Sequence, residues 1–383
     1  MAEIDPKVDE AIQTLDMKDG PTRRKLLAGT GLFSASAAAS ALLTACSSSP
    51  SHKNAAGNFP KTPKWQFWFD NHVTTNPFFT PTQYGLADAA ALLGIPTPKW
   101  GGSTSSSVTE MVNYFNTAVA SHPAGIATTV IDAHAFTAPI ATAMNKGIPV
   151  VSYNADGTYV KGVPDIGSNR LCYVGQALYL SGQQLGHKIH EVLGTPGEIV
   201  IFIATPGSGN IQPRYDGAAS VLTPLGYKLH EIGTGAATGV ELGAQKAYLS
   251  GHLKTTKGAF AVDYGDTGFL AQALTATGLA GKIPAGGFDL APTTLSGIKS
   301  GVVDFTINQD PYLQGFLPTL YLYLFNLSGG IVLPPDTDTG LTFVDKTTIK
   351  QVLIPERFQG SSSAQKLIPR SGPIISPPAT TST

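Results

Sequence analysis

From residue 65 to about residue 326 the chain alternates short apolar runs with longer stretches of helical periodicity, and this alternation restricts the fold more than any other feature. Residues 65–69 form an aromatic strand. Residues 104–121 place Val108, Met111, Val112, Phe115 and Val119 at helical spacing behind a Ser/Thr-rich cap. Residues 126–131 are a strand, a helix follows to Lys146, Gly147 stops it, and 148–152 is the next strand. The order continues with helix 176–193, strand 198–203, helix 214–224, strand 227–232, helix 240–254 and strand 258–262. Helix 268–278, strand 284–288, helix 293–300, strand 303–307 and helix 312–326 complete it. Strict alternation of this kind predicts the α/β class, with doubly wound parallel sheets covered by helices on both faces.

The pattern also repeats itself. Residues 126–154 run strand, polar tip at Asp132, helix, Gly-Ile-Pro-Val strand, polar tip at Asn154. Residues 258–289 run strand, polar tip at Asp263, helix, Lys-Ile-Pro strand, polar tip at Asp289. In a parallel sheet such tips share the carboxyl edge, where ligands bind. Two half-molecules of this design predict two Rossmann-like lobes facing across a cleft. The alternative is a chance echo, because alternating chains are self-similar.

Composition removes several function classes. Net charge is −1 over 383 residues and charged residues make up 13%, about half the usual share. No basic field exists to attract nucleic acid or an anionic membrane. Apolar residues reach 42%, enough for two real cores.

The N-terminal region carries an address. Thr22-Arg-Arg-Lys-Leu-Leu is followed by an uncharged run and then Leu43-Thr44-Ala45-Cys46, the order of an export signal over residues 1–45. Arg23-Arg24 resembles a twin-arginine signal. Leu-Thr-Ala-Cys resembles a lipobox, in which Cys46 is lipidated and becomes the mature N-terminus. The alternative is a transmembrane anchor over residues 26–45. Residues 46–63 read as a flexible tether and 359–383 as a disordered tail. Of the two cysteines, lipidation of Cys46 leaves Cys172 alone, so no intramolecular disulfide forms and Cys172 reads as a small buried hydrophobe.

Six segments carry the functional reading. Asn76-Pro77-Phe78-Phe79 sets a rigid turn after the first strand, and its two adjacent rings could offer flat apolar faces to a ligand. One ring could equally be a hydrophobic plug, since helical neighbours point about 100° apart. Gly147-Ile-Pro-Val-Val-Ser-Tyr-Asn154 ends a strand in an amide. Gln212-Pro-Arg214-Tyr-Asp-Gly217 offers a rigid donor fork, with a surface pairing to Asp216 as its alternative. Asp263 and Asp289 end strands in Ala261-Val-Asp-Tyr and Gly287-Phe-Asp, where they could accept from hydroxyls or cap helices. Phe305-Thr-Ile-Asn-Gln309-Asp-Pro-Tyr-Leu-Gln-Gly315 follows.

In this order the six segments resemble the type I periplasmic sugar-binding proteins, the ribose-binding-protein-like solute receptors of ABC importers. The resemblance spans about residues 64–355. It implies two lobes joined by a three-crossing hinge: residues 64–173 with 310–338, and 174–309 with 339–358. It implies a ligand site of Asn76, Phe78, Phe79, Asn154, Arg214, Asp263, Asp289 and Gln309. The expected ligand is a small neutral sugar or polyol, bound without cofactor by a monomeric lipoprotein on the outer face of the cytoplasmic membrane. Its partners would be the twin-arginine export machinery and an ABC permease. Asn154-Ala155 stands where sugar-binding members usually bear Asp-Arg, which points to a different hydroxyl pattern.

Two other classes remain: a signalling receptor for a furanosyl or polyol ligand, and a tethered hydrolase. Enzyme signatures are weak. No nucleophile elbow occurs at Gly207-Ser-Gly209, the glycine spacing of 233–239 is wrong for a dinucleotide loop, and no Cys/His cluster predicts a metal. Asp336 and Asp338 read as solvated loop residues.

Overall fold

The computed structural model describes residues 59–157, 168–237 and 239–352. The export signal, Cys46, most of the tether and the C-terminal tail lie outside the described residues. Contacts divide the chain into Met1–Lys61 and Thr62–Thr383, and every element below belongs to the second unit. No helix among the described residues is long and apolar enough to cross a membrane.

Two six-stranded sheets form the two lobes. The first holds β1 (Phe67–Asn71), β2 (Lys99–Gly102), β3 (Gly125–Val130), β4 (Val150–Asp156), β5 (Tyr173–Gly175) and β11 (Asp336–Asp338). The second holds β6 (Glu198–Ile203), β7 (Lys228–Gly233), β8 (Thr256–Ala261), β9 (Ala285–Phe288), β10 (Phe305–Asn308) and β12 (Thr342–Asp345). The orders are β2-β1-β3-β4-β5-β11 and β7-β6-β8-β9-β10-β12, the same winding twice. The echo between residues 126–154 and 258–289 is therefore structural. Every pairing is parallel except β10 with β12. The chain passes between the sheets three times: after β5, after β10 and after β11.

Side-chain alternation splits each sheet between two cores. Phe67 and Phe69 face α1 (Thr80–Leu93) and α9 (Leu313–Ser328), while Trp68 faces α2 (Val108–Ala120) and α3 (Ala133–Asn145). In the second sheet Ile199, Ile201 and Ile203 face α4 (Leu178–Leu193) and α5 (Gln212–Leu222). Val200 and Phe202 face α6 (Glu241–Gly251), α7 (Tyr264–Ala276) and α8 (Pro292–Ser300). Cys172 is fully buried in the first lobe.

Short strands and one helix escape sequence periodicity. α1 follows the Asn-Pro-Phe-Phe turn directly, with no intervening loop to mark its start. Strands β2, β5, β11 and β12 have three or four residues each, too few to show a period. Asp336 is solvent-exposed as expected, but it lies in β11 rather than a loop, and it pairs with Arg170 Nη2 at 2.8 Å, an atom that also holds Asp156 at 2.6 Å.

Helices α4 and α5 pack backbone to backbone. A Cβ on Gly182 would overlap the carbonyl oxygen of Arg214, and one on Gly217 that of Tyr179. This approach fixes the first turn of α5, which carries Arg214. Overpacking such a contact costs about 1–3 kcal/mol. Gly182→Val should lower the melting temperature by roughly 5 °C at about 2–4 °C per kcal/mol. An unchanged transition would contradict this packing.

Candidate binding site

The carboxyl edges of the two sheets face each other, and between them lies a cavity of about 290 Å³. Its walls come from both lobes: His72, Asn76 and Ser106 from the first, Asn210, Asp263 and Tyr264 from the second. No Lys or Arg is among its described lining residues.

Of the eight sequence-derived positions, two line this cavity. Asn76 precedes a short 3-10 turn (Pro77–Phe79), where its Oδ1 accepts from Phe78 N at 2.9 Å. Asp263 caps α7: Oδ1 accepts from Asp266 N and Oδ2 from Ala204 N, both at 2.9 Å. Capping and cavity lining are thus one geometry, with the carboxylate held at the strand tip by two backbone amides.

The adjacent rings separate. Phe78 meets Tyr264 across the lobes, edge to face with centroids 6.2 Å apart, beside a much smaller space that Asp289 also lines. Phe79 is 1% exposed and packs against Trp100 and His72. Its assignment to the cavity wall is corrected: it is the plug, because neighbours on a helical turn diverge.

The remaining four form a buried relay behind the cavity. A bulge in β4 between Ser152 and Asp156 turns Asn154 to φ 63°, a left-handed conformation that asparagine tolerates. Its Nδ2 donates to Gln314 Oε1 at 3.0 Å. Gln314 Nε2 donates to Gln309 Oε1 at 3.1 Å, and Gln309 Nε2 donates to Asp289 Oδ1 at 2.8 Å. Arg214 stands nearby with its guanidinium 4.2 Å from the Phe288 ring centre, donating to Val262 O and Gln176 Oε1 at 3.0 Å each. The alternative partner Asp216 accepts instead from Gln212.

This relay ties together all three crossings. Gln176 follows β5, Gln309 follows β10 and Thr339 follows β11. Gln176 Nε2 donates to Gly340 O, Thr339 Oγ1 donates to Gln309 O, and Gln314 Nε2 donates to Thr339 Oγ1.

Several wall residues had only a faint sequence signal. His72 follows Asp70 and Asn71, and that polar run at a strand tip was the available clue. Its Nε2 lies 3.1 Å from Asn210 Nδ2 across the lobes, and its Nδ1 lies 3.1 Å from Thr129 Oγ1. Asn210 Oδ1 accepts from Ser208, so its amide nitrogen faces His72. The network therefore assigns a neutral imidazole protonated on Nδ1. Burial agrees, lowering the His72 pKa to about 4. Glu241, also in the wall, accepts from Gly239 N at 2.6 Å, and burial raises its pKa.

Asp289 is buried at φ 74°, and burial pushes its pKa to about 6 against the opposing pull of Arg214 and Gln309. Tyr264 rises to about 12, through burial first and then Asp289. Among the described residues no His/Cys/Asp/Glu group could hold a metal ion.

The model of the periplasmic binding protein domain matches residues 67–324. The chain belongs to the periplasmic binding protein family. The xylose/arabinose-binding protein XylF of Sulfolobus acidocaldarius is 43% identical over 322 residues, 81% of this chain and 78% of that protein. A solute-binding protein of an ABC transporter from Burkholderia graminis, solved with D-arabinose, shares the fold. Its TM-score is 0.67 at 24% identity, over 76% of this chain and 98% of that one. One from Agrobacterium vitis, bound to α-D-tagatopyranose, gives 0.68 at 20% over the same shares.

The raised Asp289 pKa has a signed consequence. Between about pH 4 and 6 the folded protein keeps a proton that the unfolded chain has lost, so this group's contribution falls as pH rises and levels off above about 6. Asp289→Asn should therefore gain stability relative to the parent across that window in urea titrations. A stability difference that stays constant with pH would contradict the burial of this carboxyl.

Proposed function

We propose that this periplasmic binding protein is an extracytoplasmic, lipid-tethered receptor of an ABC importer. It takes a neutral monosaccharide, with pentoses such as xylose and arabinose foremost, or a sugar alcohol. The observation that carries this reading is the cavity: walled from both lobes, lined by amides, hydroxyls and two carboxylates among apolar side chains, and without a cation among its described lining residues. Such a wall pairs with the donor and acceptor hydroxyls of an uncharged sugar and repels an anionic one. The volume suits one small ring. The name of the 43% identical relative points to the same ligand class.

The mechanism is closure. A ligand held by Asn76 on one lobe and Asp263 on the other binds the closed state better and shifts the population toward it. Tyr264 and Phe78 lead from the cavity to the relay, where Asp289, Arg214 and Asn154 exchange their protein partners for ligand hydroxyls. Each buried hydroxyl left unpaired costs about 1–3 kcal/mol, a preference of about five- to 150-fold between epimers. The closed form is then read by the permease. Lipid on Cys46 and the Ser-rich tether keep the receptor beside it.

A thermal-shift screen over pentoses, hexoses, inositols and sugar alcohols tests the ligand class: at least one pentose should raise the melting temperature. Asp289→Ala and Asn154→Ala should abolish that shift in a folded protein. No shift with any neutral sugar or polyol would overturn the reading. For the tether, Cys46→Ser should move the protein from membrane to soluble fraction, and continued membrane attachment would favour the anchor alternative.

A further inference from the structure

The loop between β6 and α5 brings the second lobe against the first at a point with no room for a side chain. A Cβ on Gly209 would lie 2.7 Å from Gly157 O and 2.8 Å from Ile131 O. Gly157 follows β4 and Ile131 follows β3, so both oxygens belong to the carboxyl edge of the first sheet. They are backbone atoms anchored to strands and cannot swing aside as a side chain would. Beside them Asn210 Nδ2 donates to His72 Nε2 at 3.1 Å, and Asn210 is in turn held by Ser208 Oγ.

We propose that Gly209 is the seat of closure: a positioning residue whose missing side chain sets how deeply the lobes close and hence how tightly a ligand is held. This rests on the reading that the lobes close on a ligand. A methyl group here meets nothing in an open form, because the opposing oxygens belong to the other lobe. It acts on the closed form alone. To admit it, the loop must withdraw, which stretches the Asn210–His72 hydrogen bond at the cavity wall. Apparent affinity then falls in proportion to the lost closed population.

The test uses Gly209→Ala and Gly209→Val in the full chain carrying Cys46→Ser. Spin labels at Leu92→Cys and Leu253→Cys, exposed sites on opposite lobes, report the distance across the cleft. The parent should show a short-distance population that grows with the sugar found in the thermal screen. Gly209→Val should lose it with or without sugar, while the ligand-free melting temperature stays unchanged. The dissociation constant should rise roughly tenfold or more, further for Val than for Ala. A merely structural glycine would lower the melting temperature and leave the distances alone, which would overturn the proposal. So would identical distance distributions in parent and variant, or a parent without the short population. If no sugar binds the parent, the ligand reading fails, and the ligand-free distances still decide the role of Gly209.

Discussion

A buried run of amide side chains holds the three crossings together, and the arrangement of the lobes depends on it. Gln176, Gln309 and Gln314 sit within 1% exposure or less at the places where the chain leaves one sheet for the other. Each must satisfy donors and acceptors away from water, and unpaired groups there cost about 1–3 kcal/mol apiece. Gln314 satisfies its nitrogen on Gln309 and Thr339 and its oxygen on Asn154. Gln176 bridges Arg214 of the second lobe and Gly340 of the third crossing. One hydrogen-bond network therefore joins the three crossings, and it includes Asp289, Arg214 and Asn154.

The cavity follows from sheet geometry. Both sheets are wound in the same order, so both present their strand tips on the facing side. Tips in parallel sheets begin helices, and a carboxylate or amide there meets free backbone N–H groups. Asn76 and Asp263 are held this way and cannot rotate freely. A wall of such residues is preorganised, so little side-chain entropy is lost when a polar ligand arrives. Charge sharpens the selection. His72 is neutral, Glu241 and Asp263 are acids, and the arginine lies behind the wall with its guanidinium on Phe288.

Much of this was legible in the chain itself, and the exceptions have physical reasons. Helices α2 to α9 were visible because each falls in the regular alternation of apolar strand and helical stretch. Strands β2, β5, β11 and β12 were not, because their pairing is decided by distant chain. Asn-Pro-Phe-Phe announced a turn, yet only packing separated Phe78 at the lobe boundary from Phe79 in the core. Asp336 read as a solvated residue and is one; its strand and its pairing with Arg170 were hidden because both partners are remote in sequence.

Local chemistry in the sequence was enough to indicate the α/β class, an internal echo that the sheet orders then made structural, the turn at Asn76 and the strand-tip positions of Asn154, Asp263 and Asp289. Those depend on periodicity and on residues that favour turns and caps, which act over a few positions. Tertiary structure alone decided which of those tips line the cavity and which join the relay, and it brought in His72, Asn210, Gln176 and Gln314. Side-chain direction at a strand tip is set by bulges, left-handed backbone and contacts across the lobes. None of these leaves a mark in the neighbouring sequence.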